Sequence, residues 1–295
     1  MKIVVLAGGL SPERNVSLSS GAMVSEALRE QGHQVALVDL FFGTEGVEGP
    51  AEALYDAPVP QAFKRIGRQA PDLAQVRAAR RDRSPSSIGP GVLELCAGAD
   101  VVYLALHGAC GEDGRIQAAL DLLGVPYTGS GCLASAIAMD KDLTKRLVAG
   151  QVTTPAWRSV TVTEENLEEL ARQTRLPVVV KPVDSGSSIG VFIARDGQEL
   201  RRALEVCPAQ IPPEWEQRLG EAALAVFRTI GLSVYARADF IVTPDGTPYF
   251  LEINTLPGMT PTSLVPQEAA AVGIGYGALC QTIVEASLKA RKGGA

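Results

Sequence analysis

Asp239, Glu252 and Asn254 are the side chains in this sequence best suited by type and spacing to do chemistry. They fall in two strand-like runs, YARADFIV and TPYFLEIN, separated by Thr-Pro-Asp-Gly. Asp-Gly between two such runs is a strong hairpin signal. If the loop is the two residues Asp245-Gly246, Asp239 faces Glu252 and Arg237 faces Asn254, so all four share one face. A four-residue loop keeps that parity, whereas a three-residue loop would set Asp239 against Leu251 and part the carboxylates. Two carboxylates and an amide oxygen are hard ligands, suited to Mg²⁺ held together with substrate phosphates. Arg237 beside them would stabilise an oxyanion. The plain alternative is a solvated face with a cross-strand ion pair. Against it stands Thr-Leu-Pro-Gly-Met-Thr, directly after Leu-Glu-Ile-Asn, a rigid turn that brings backbone N–H groups to the same face.

Lys181 ends an apolar run and is followed by Asp184-Ser-Gly-Ser-Ser-Ile-Gly190, a Gly/Ser loop that can cradle phosphate oxygens beside a lysine, or can be a plain flexible turn. It is not a Walker loop, since G-x-x-x-x-G-K-[ST] occurs nowhere. Near the N-terminus, Gly8-Gly9 leads into Ser-Pro-Glu13-Arg14, and Asp39 closes the next apolar run. That resembles a dinucleotide-binding start, but the third glycine of G-x-G-x-x-G is missing, which argues against a nicotinamide cofactor. A carboxylate at the helix N-terminus is placed instead to bind an ammonium, and Glu13 is the candidate. His107, just past a buried strand in His-Gly-Ala-Cys-Gly-Glu-Asp-Gly, lies at the ligand-side rim of the sheet; His33 follows a helix cap and is expected to be exposed. Cys110 has no second histidine or evident base, so a thiol nucleophile is not favoured.

The elements that must position these residues follow from the apolar pattern. Residues 2–7 (KIVVLA) read as a buried parallel strand, residues 16–29 as a helix closed by Gly32, and HQVALVDL as a second strand, giving a right-handed strand–helix–strand unit. From Phe41 to about Pro90, prolines and the basic run Arg77, Arg80, Arg81 and Arg83 read as a solvated insertion. VVYLAL (101–106) is a third strand, residues 112–123 a helix, and PYTGSG (126–131) a joint between domains. One helix is expected over 133–149, strands at 176–183 and 191–194, and helices at 197–206 and about 214–230, the last preceding the hairpin.

With 295 residues, 46% hydrophobic and 20% charged, the chain can fill two or three domains. The net charge of −6 disfavours nucleic acid or an anionic membrane as a partner. Five scattered cysteines without C-x-x-C write neither a disulfide framework nor a zinc site. The apolar start is too short for a signal peptide and no run of about 18 apolar residues occurs, so a cytoplasmic protein is expected.

Taken together, GGLSPERNVSLSSG, LHGACGEDG, PYTGSG with MDKDLTK, LPVVVKPVDSGSSIG, ARADF and LEINTLPGMTPTSLVP resemble the D-alanine–D-alanine ligases of the ATP-grasp superfamily, in the family's order and nearly end to end. The resemblance implies an α/β fold: an N-terminal Rossmann-like domain (1–128), a central lid domain (129–205) and a C-terminal domain (206–295), the last two forming the ATP-grasp module. It implies ATP and D-alanine as substrates, two Mg²⁺ or Mn²⁺ ions, an acyl-phosphate intermediate, a product used in peptidoglycan synthesis, and a homodimer. By matching position, Glu13 would hold the first ammonium and His107 would lie near the first substrate. Lys141 and Lys181 would contact ATP phosphates, and Ser187 would orient Glu13 and help close the site. Asp239, Glu252 and Asn254 would bind the metal ions. Arg237 and the Gly258 N–H would form the oxyanion hole, while Ser263 and Leu264 would receive the second substrate's carboxylate.

One departure stands out. Between the loop at 184–190 and the helix near 214, family members carry several tens of further residues, which bind adenine and ribose and supply an omega loop. Here RRALEVCPAQIPPEWEQ passes directly from one side to the other. The loss would remove the nucleoside half of the pocket and a lid that excludes water. Glu205, Trp215 and Glu216 are candidates to substitute in part. The alternatives to a D-alanine–D-alanine ligase are a homologue that binds without turnover and a ligase using D-lactate or D-serine as acceptor.

Overall fold

In a computed structural model of the chain, the described residues are 1–55, 57–64, 70–161, 169–170, 173, 178–180, 192–194, 211–260 and 263–292. β1 (Lys2–Ala7) is the middle strand of a three-stranded parallel sheet, flanked by β2 (Gln34–Asp39) and β3 (Val101–Leu104). These strands are apolar throughout because both faces are covered. Ile3, Val5 and Ala7 point into one core with Val35, Leu37 and Tyr103; Val4 and Leu6 point into another with Ala36, Val38 and Leu104. The first core is roofed by α1 (Arg14–Glu30) and the C-terminal helix, the second by α3 (Val92–Ala97) and α4 (Arg115–Leu122). α1 lies so close to β1 that a Cβ on Gly21 would collide with the Ala7 methyl. Gly32, at φ +82°, closes α1 as expected.

The insertion after Phe41 is more ordered than its composition suggests. It contains short 3₁₀ turns at Ala51–Tyr55 and Gln61–Lys64 and a helix, α2 (Leu73–Ala79). Arg80 is only 1% exposed: its guanidinium lies 4.8 Å from the Phe41 ring centroid and 2.5 Å from Asp82. The arginine run is therefore a solvated face at Arg77, Arg81 and Arg83 and a buried anchor at Arg80. His33 is half-buried rather than exposed, with Nε2 2.6 Å from Gln281.

Pro126–Thr128 runs along the outer edge of β3, with hydrogen bonds Val102 N–H to Pro126 O and Thr128 N–H to Val102 O. The single helix expected over 133–149 is two, α5 (Cys132–Met139) and α6 (Lys141–Val148). Asp140 leaves helical geometry at ψ 103°, and its carboxylate caps α6 by accepting from the Leu143 N–H at 2.8 Å. β4 (Val178–Val180) and β5 (Phe192–Ala194) pair antiparallel, as the 176–194 region predicts. The helix expected over 197–206 lies outside the described residues. α7 (Pro213–Thr229) precedes the hairpin of β6 (Arg237–Val242) and β7 (Pro248–Asn254); α8 (Leu264–Ala271) and α9 (Tyr276–Lys292) complete the chain. A third core joins α5, α6 and α7 to the hairpin through Ala134, Val148, Val226, Phe250 and Ile253. Among the described residues no single helix is long and apolar enough to cross a membrane; α8 and the stretch Tyr276–Arg291 meet that test only as a pair bent by 104°.

Candidate active site

The hairpin carries its polar face as the sequence predicts, by a different route. Thr243 N–H bonds Thr247 O at 3.1 Å and Gly246 N–H bonds Thr243 O at 2.8 Å, so the loop is the three residues Pro244-Asp245-Gly246. Gly246 takes φ +80°, as the last residue of such a loop requires. The ladder near the turn accordingly pairs Phe240 with Phe250 and Ile241 with Tyr249, a register that would oppose Asp239 to Leu251. Leu251 is instead the extra residue of a β-bulge, and the register shifts between Asp239 and Phe240. Beyond it Asp239 pairs with Glu252 and Arg237 with Asn254. The two-residue loop is thus corrected, while the pairing it was meant to produce stands.

On the inward face Phe240 and Phe250 pack edge to face at 5.7 Å, and Ile253 is buried beside them. On the outward face Arg237 makes a bidentate pair with Asp239, Nε to Oδ1 at 2.8 Å and a terminal nitrogen to Oδ2 at 2.9 Å. Asn254 Oδ1 accepts from the Leu256 N–H at 3.0 Å. Lys141, the first residue of α6, places Nζ 3.7 Å from Glu252 Oε2. Two carboxylates directly opposed on a ladder repel one another unless cations lie between them; here Arg237 and Lys141 supply the positive charge. Among the described residues no group of three or more Asp, Glu, His or Cys side chains is gathered closely enough to hold a metal. The donor set is two carboxylates and an amide oxygen, all hard oxygen ligands, and it fits Mg²⁺ in the mode where substrate phosphates complete the coordination.

Facing this hairpin is the rim of the parallel sheet. His107 is 6% exposed; its Nδ1 lies 2.9 Å from the Leu256 carbonyl, which can only accept, so Nδ1 carries the proton. Nε2 is then left to accept from the Ser20 hydroxyl at 3.3 Å, and Ser20 Oγ in turn accepts from the Met259 N–H at 3.3 Å. Burial pushes His107 down to about 4, so the imidazole is neutral at pH 7. This chain of bonds ties α1 and the 107–114 loop to the segment that follows β7.

Glu112 is the residue that sequence reasoning missed. It is 7% exposed and accepts from the Gly108 N–H at 2.6 Å. Burial pushes it up to about 8, the neighbouring Glu13 adds to the rise, and Arg237 and Lys141 oppose it. The available signal was a second acid two turns of the loop beyond His107, in Gly-Glu-Asp-Gly. Glu13 itself sits at the N-cap of α1, with its carboxylate near Gly108. Asp39 is not a ribose ligand in this arrangement: it pairs with Arg14 and accepts from the Phe41 N–H at 2.9 Å.

After β7 the chain turns through Gly258 to Ser263, the N-cap of α8, with Leu264 as the helix's first residue. Gly258 is tight against Ser263, whose Oγ would lie 2.7 Å from a Cβ at 258. Ser263 Oγ also accepts from the Thr260 N–H at 3.1 Å. The open N–H groups of a helix start are a ready site for a carboxylate. Glu268, one turn further along α8, is within electrostatic reach of Arg237 and Asp239. Trp215 packs over Gly246 at the hairpin turn. Lys181 and Ser187 lie outside the described residues.

The structure therefore brings Glu13, His107, Lys141, Arg237, Asp239, Glu252 and Asn254 near one another, with Gly258, Ser263 and Leu264 on the segment that follows β7. Comparison with known proteins gives this arrangement a family. Residues 2–130 match the model described as the D-ala D-ala ligase N-terminus, and residues 151–207 and 205–285 match that of the D-ala D-ala ligase C-terminus. The chain is 34% identical over 349 aligned positions to the D-alanine–D-alanine ligase of Lacticaseibacillus casei, covering 98% of this chain and 96% of that one. It is 36% identical over 347 positions to the ligase of Gloeobacter violaceus, covering 98% and 100%. Both alignments are longer than the 295-residue chain, so residues of each relative stand opposite gaps. Among solved structures, the D-alanine–D-alanine ligase of Bacillus anthracis complexed with ATP superposes with a TM-score of 0.71 at 27% identity, covering 100% of this chain and 99% of that one. The ligase of Coxiella burnetii, at 21% identity, shares the fold with a TM-score of 0.74 over 99% and 95% of the two chains. By fold and by sequence over nearly its whole length, the chain belongs to the D-alanine–D-alanine ligase family of ATP-grasp enzymes.

Proposed function

We propose that this chain joins two D-alanine molecules at the expense of ATP, in the cytoplasm and as a homodimer, to supply a peptidoglycan precursor. The observation that carries the reading is the outward face of the hairpin, where Asp239, Glu252, Asn254 and Arg237 share one surface beside Lys141. In this reading residues 1–128, 129–205 and 206–295 are three domains, and the hairpin belongs to the third.

In this reading Glu13 holds the ammonium of the first D-alanine at the N-terminus of α1. Lys141 and Lys181 hold the phosphates of ATP, and Ser187 orients Glu13 as the loop closes. A carboxylate oxygen of the first D-alanine attacks the γ-phosphorus, the bond to the β,γ-bridging oxygen breaks, and ADP and an acyl phosphate result. Asp239, Glu252 and Asn254 would hold two Mg²⁺ ions, which when bound neutralise phosphate charge. Ser263 and Leu264, at the start of α8, receive the carboxylate of the second D-alanine. Its amine attacks the acyl carbon, and Arg237 and the Gly258 N–H stabilise the developing oxyanion. Inorganic phosphate leaves as the peptide bond forms. The neutral imidazole of His107 fixes the Leu256 carbonyl, and so the backbone leading to Gly258.

ADP release measured with and without D-alanine tests this reading. We expect release that requires both D-alanine and Mg²⁺; release unaffected by D-alanine contradicts it. A second reading, binding without turnover, is favoured by one observation, that the C-terminal family match is broken at residues 205–207. Calorimetry distinguishes it: D-alanine would bind and ATP would not.

A further inference from the structure

Glu112 is a buried acid to which the proposed reaction gives no task. Among the described residues its carboxyl has a single hydrogen bond, Oε2 accepting from the Gly108 N–H at 2.6 Å. The same glycine, at φ +71°, lies against Glu13, whose Oε2 is 3.1 Å from the position a Gly108 Cβ would take. Two carboxyl groups from different elements thus flank one residue of backbone, Glu13 at the N-cap of α1 and Glu112 in the loop before α4. The charged and titratable groups that face Glu112 from the elements around it are Glu13, Tyr235 just ahead of β6, Arg237 on β6 and Lys141 at the start of α6. Arg237 is engaged by Asp239, and Lys141 by Glu252. In its own loop, His107 is bonded to the Leu256 carbonyl and Asp113 accepts from the Cys110 N–H at 2.9 Å. Burial, with the Glu13 charge adding to it, outweighs the one neutral donor, so the Glu112 carboxyl keeps its proton at pH 7. The turn itself does not call for an acid: the amide oxygen of a glutamine would accept from Gly108 equally well, without the stability that a buried glutamate costs at neutral pH. An ionisable group at this position is of use when a cation arrives.

We propose that Glu112 is a second carboxylate for the ammonium of the amino acid held at Glu13, and that it releases its proton to solvent when that ammonium binds. The inference rests on the reading of Glu13 as the ammonium site and deepens it. An ammonium has three N–H donors and no acceptor, so it can meet one oxygen of each acid and a third acceptor besides. Its positive charge favours the ionised form of both acids, which reverses the effect that Glu13 alone has on Glu112. The balance is one proton out for one ammonium in: the carboxyl of Glu112 becomes a carboxylate, the proton passes to the buffer, and the substrate keeps its three ammonium hydrogens. Both contacts are then charge-assisted, the stronger class of hydrogen bond. A ligand with a hydroxyl in place of the ammonium brings no charge, leaves Glu112 protonated and forgoes both. The pair of acids therefore selects for an amino acid at this position, and it does so by a change of protonation that Glu13 alone would not show.

Calorimetric titration of the full chain with D-alanine, repeated in buffers of different ionisation enthalpy, reads the proton directly. Near pH 7 the ammonium and carboxylate of D-alanine do not change state, and His107 is already neutral. Wild type is expected to release about one proton per D-alanine bound, with an apparent Kd that falls about tenfold from pH 6 to pH 7. Glu112→Gln, which keeps an acceptor for the Gly108 N–H, is expected to release none and to bind with the same affinity at both pH values. Wild-type binding without proton release, or release that persists in folded Glu112→Gln, overturns the proposal and leaves the role of Glu13 standing. No binding of D-alanine to folded wild type at either pH overturns the reading of Glu13 as well.

Discussion

Arg237 and Lys141 hold together two carboxylates that would otherwise repel across one ladder pair. In the proposed reaction that charge balance is shared with Mg²⁺, so Glu252→Gln should abolish the Mg²⁺ dependence of nucleotide binding measured by calorimetry; an unchanged dependence removes Glu252 from the metal site. Glu112 gives a prediction with a definite sign. Its carboxyl is raised from 4.5 to about 8 by burial, so the folded chain keeps a proton that the unfolded chain has lost across that interval. The group's contribution is therefore favourable below pH 4.5 and is lost as pH rises toward 8. Glu112→Gln, neutral throughout, should match wild type near pH 5 and exceed it in stability by on the order of 3 kcal/mol at pH 8. Denaturant titrations at the two values check this, and equal differences at both would contradict it. His107 acts in the opposite direction, its lowered value costing stability as pH falls from 6.5 toward 4, so the comparison should be made against wild type at each pH. Residue type and spacing in the sequence pointed to Asp239, Glu252, Asn254 and Arg237, but not to Glu112, because an acid in a Gly-rich loop reads as solvated until the fold covers it.

At the scale of elements, the hairpin owes its useful face to two departures from regularity that offset each other. An odd loop rotates the register by one residue, and the bulge at Leu251 rotates it back before Glu252 is reached. Bulges re-aim side chains in this way, and no residue pattern in Tyr-Phe-Leu-Glu announces one. The strands and the carboxylate pairing were legible from alternation, and the loop length was not. Gly246 is the position on which the turn depends: it has φ +80°, and any Cβ would run into the indole of Trp215. Gly246→Ala should lower stability by about 1–3 kcal/mol, read as a shift in the denaturation midpoint; an unchanged midpoint would contradict the packing of α7 on the turn. The break between α5 and α6 has a similar lesson. Residues 133–149 carry one continuous helical stripe, but Asp140 competes for the backbone as a cap and so starts a new helix with Lys141 at its first position. The parallel sheet was the most legible part, since three apolar runs buried on both faces leave no other period to choose. Arg80 was the least, since its burial depends on Phe41, which lies far away in sequence.

At the scale of the molecule, the N-terminal sheet and the hairpin are joined by a few bonds at the site itself: His107 to Leu256, Ser20 to Met259, and Lys141 to Glu252. These bonds add to the first core, in which α1 and the sheet already pack on α9. The ordinary length of 295 residues hides an uneven distribution. The segment after Phe41 reads as loop-like sequence, and the C-terminal family match is broken at 205–207. Whether the remaining groups suffice for turnover is decided most directly by mass spectrometry of the well-folded protein incubated with ATP, Mg²⁺ and D-alanine. The account predicts D-alanyl-D-alanine accumulating in step with ADP and phosphate; the absence of dipeptide from protein that is folded and binds D-alanine would contradict it.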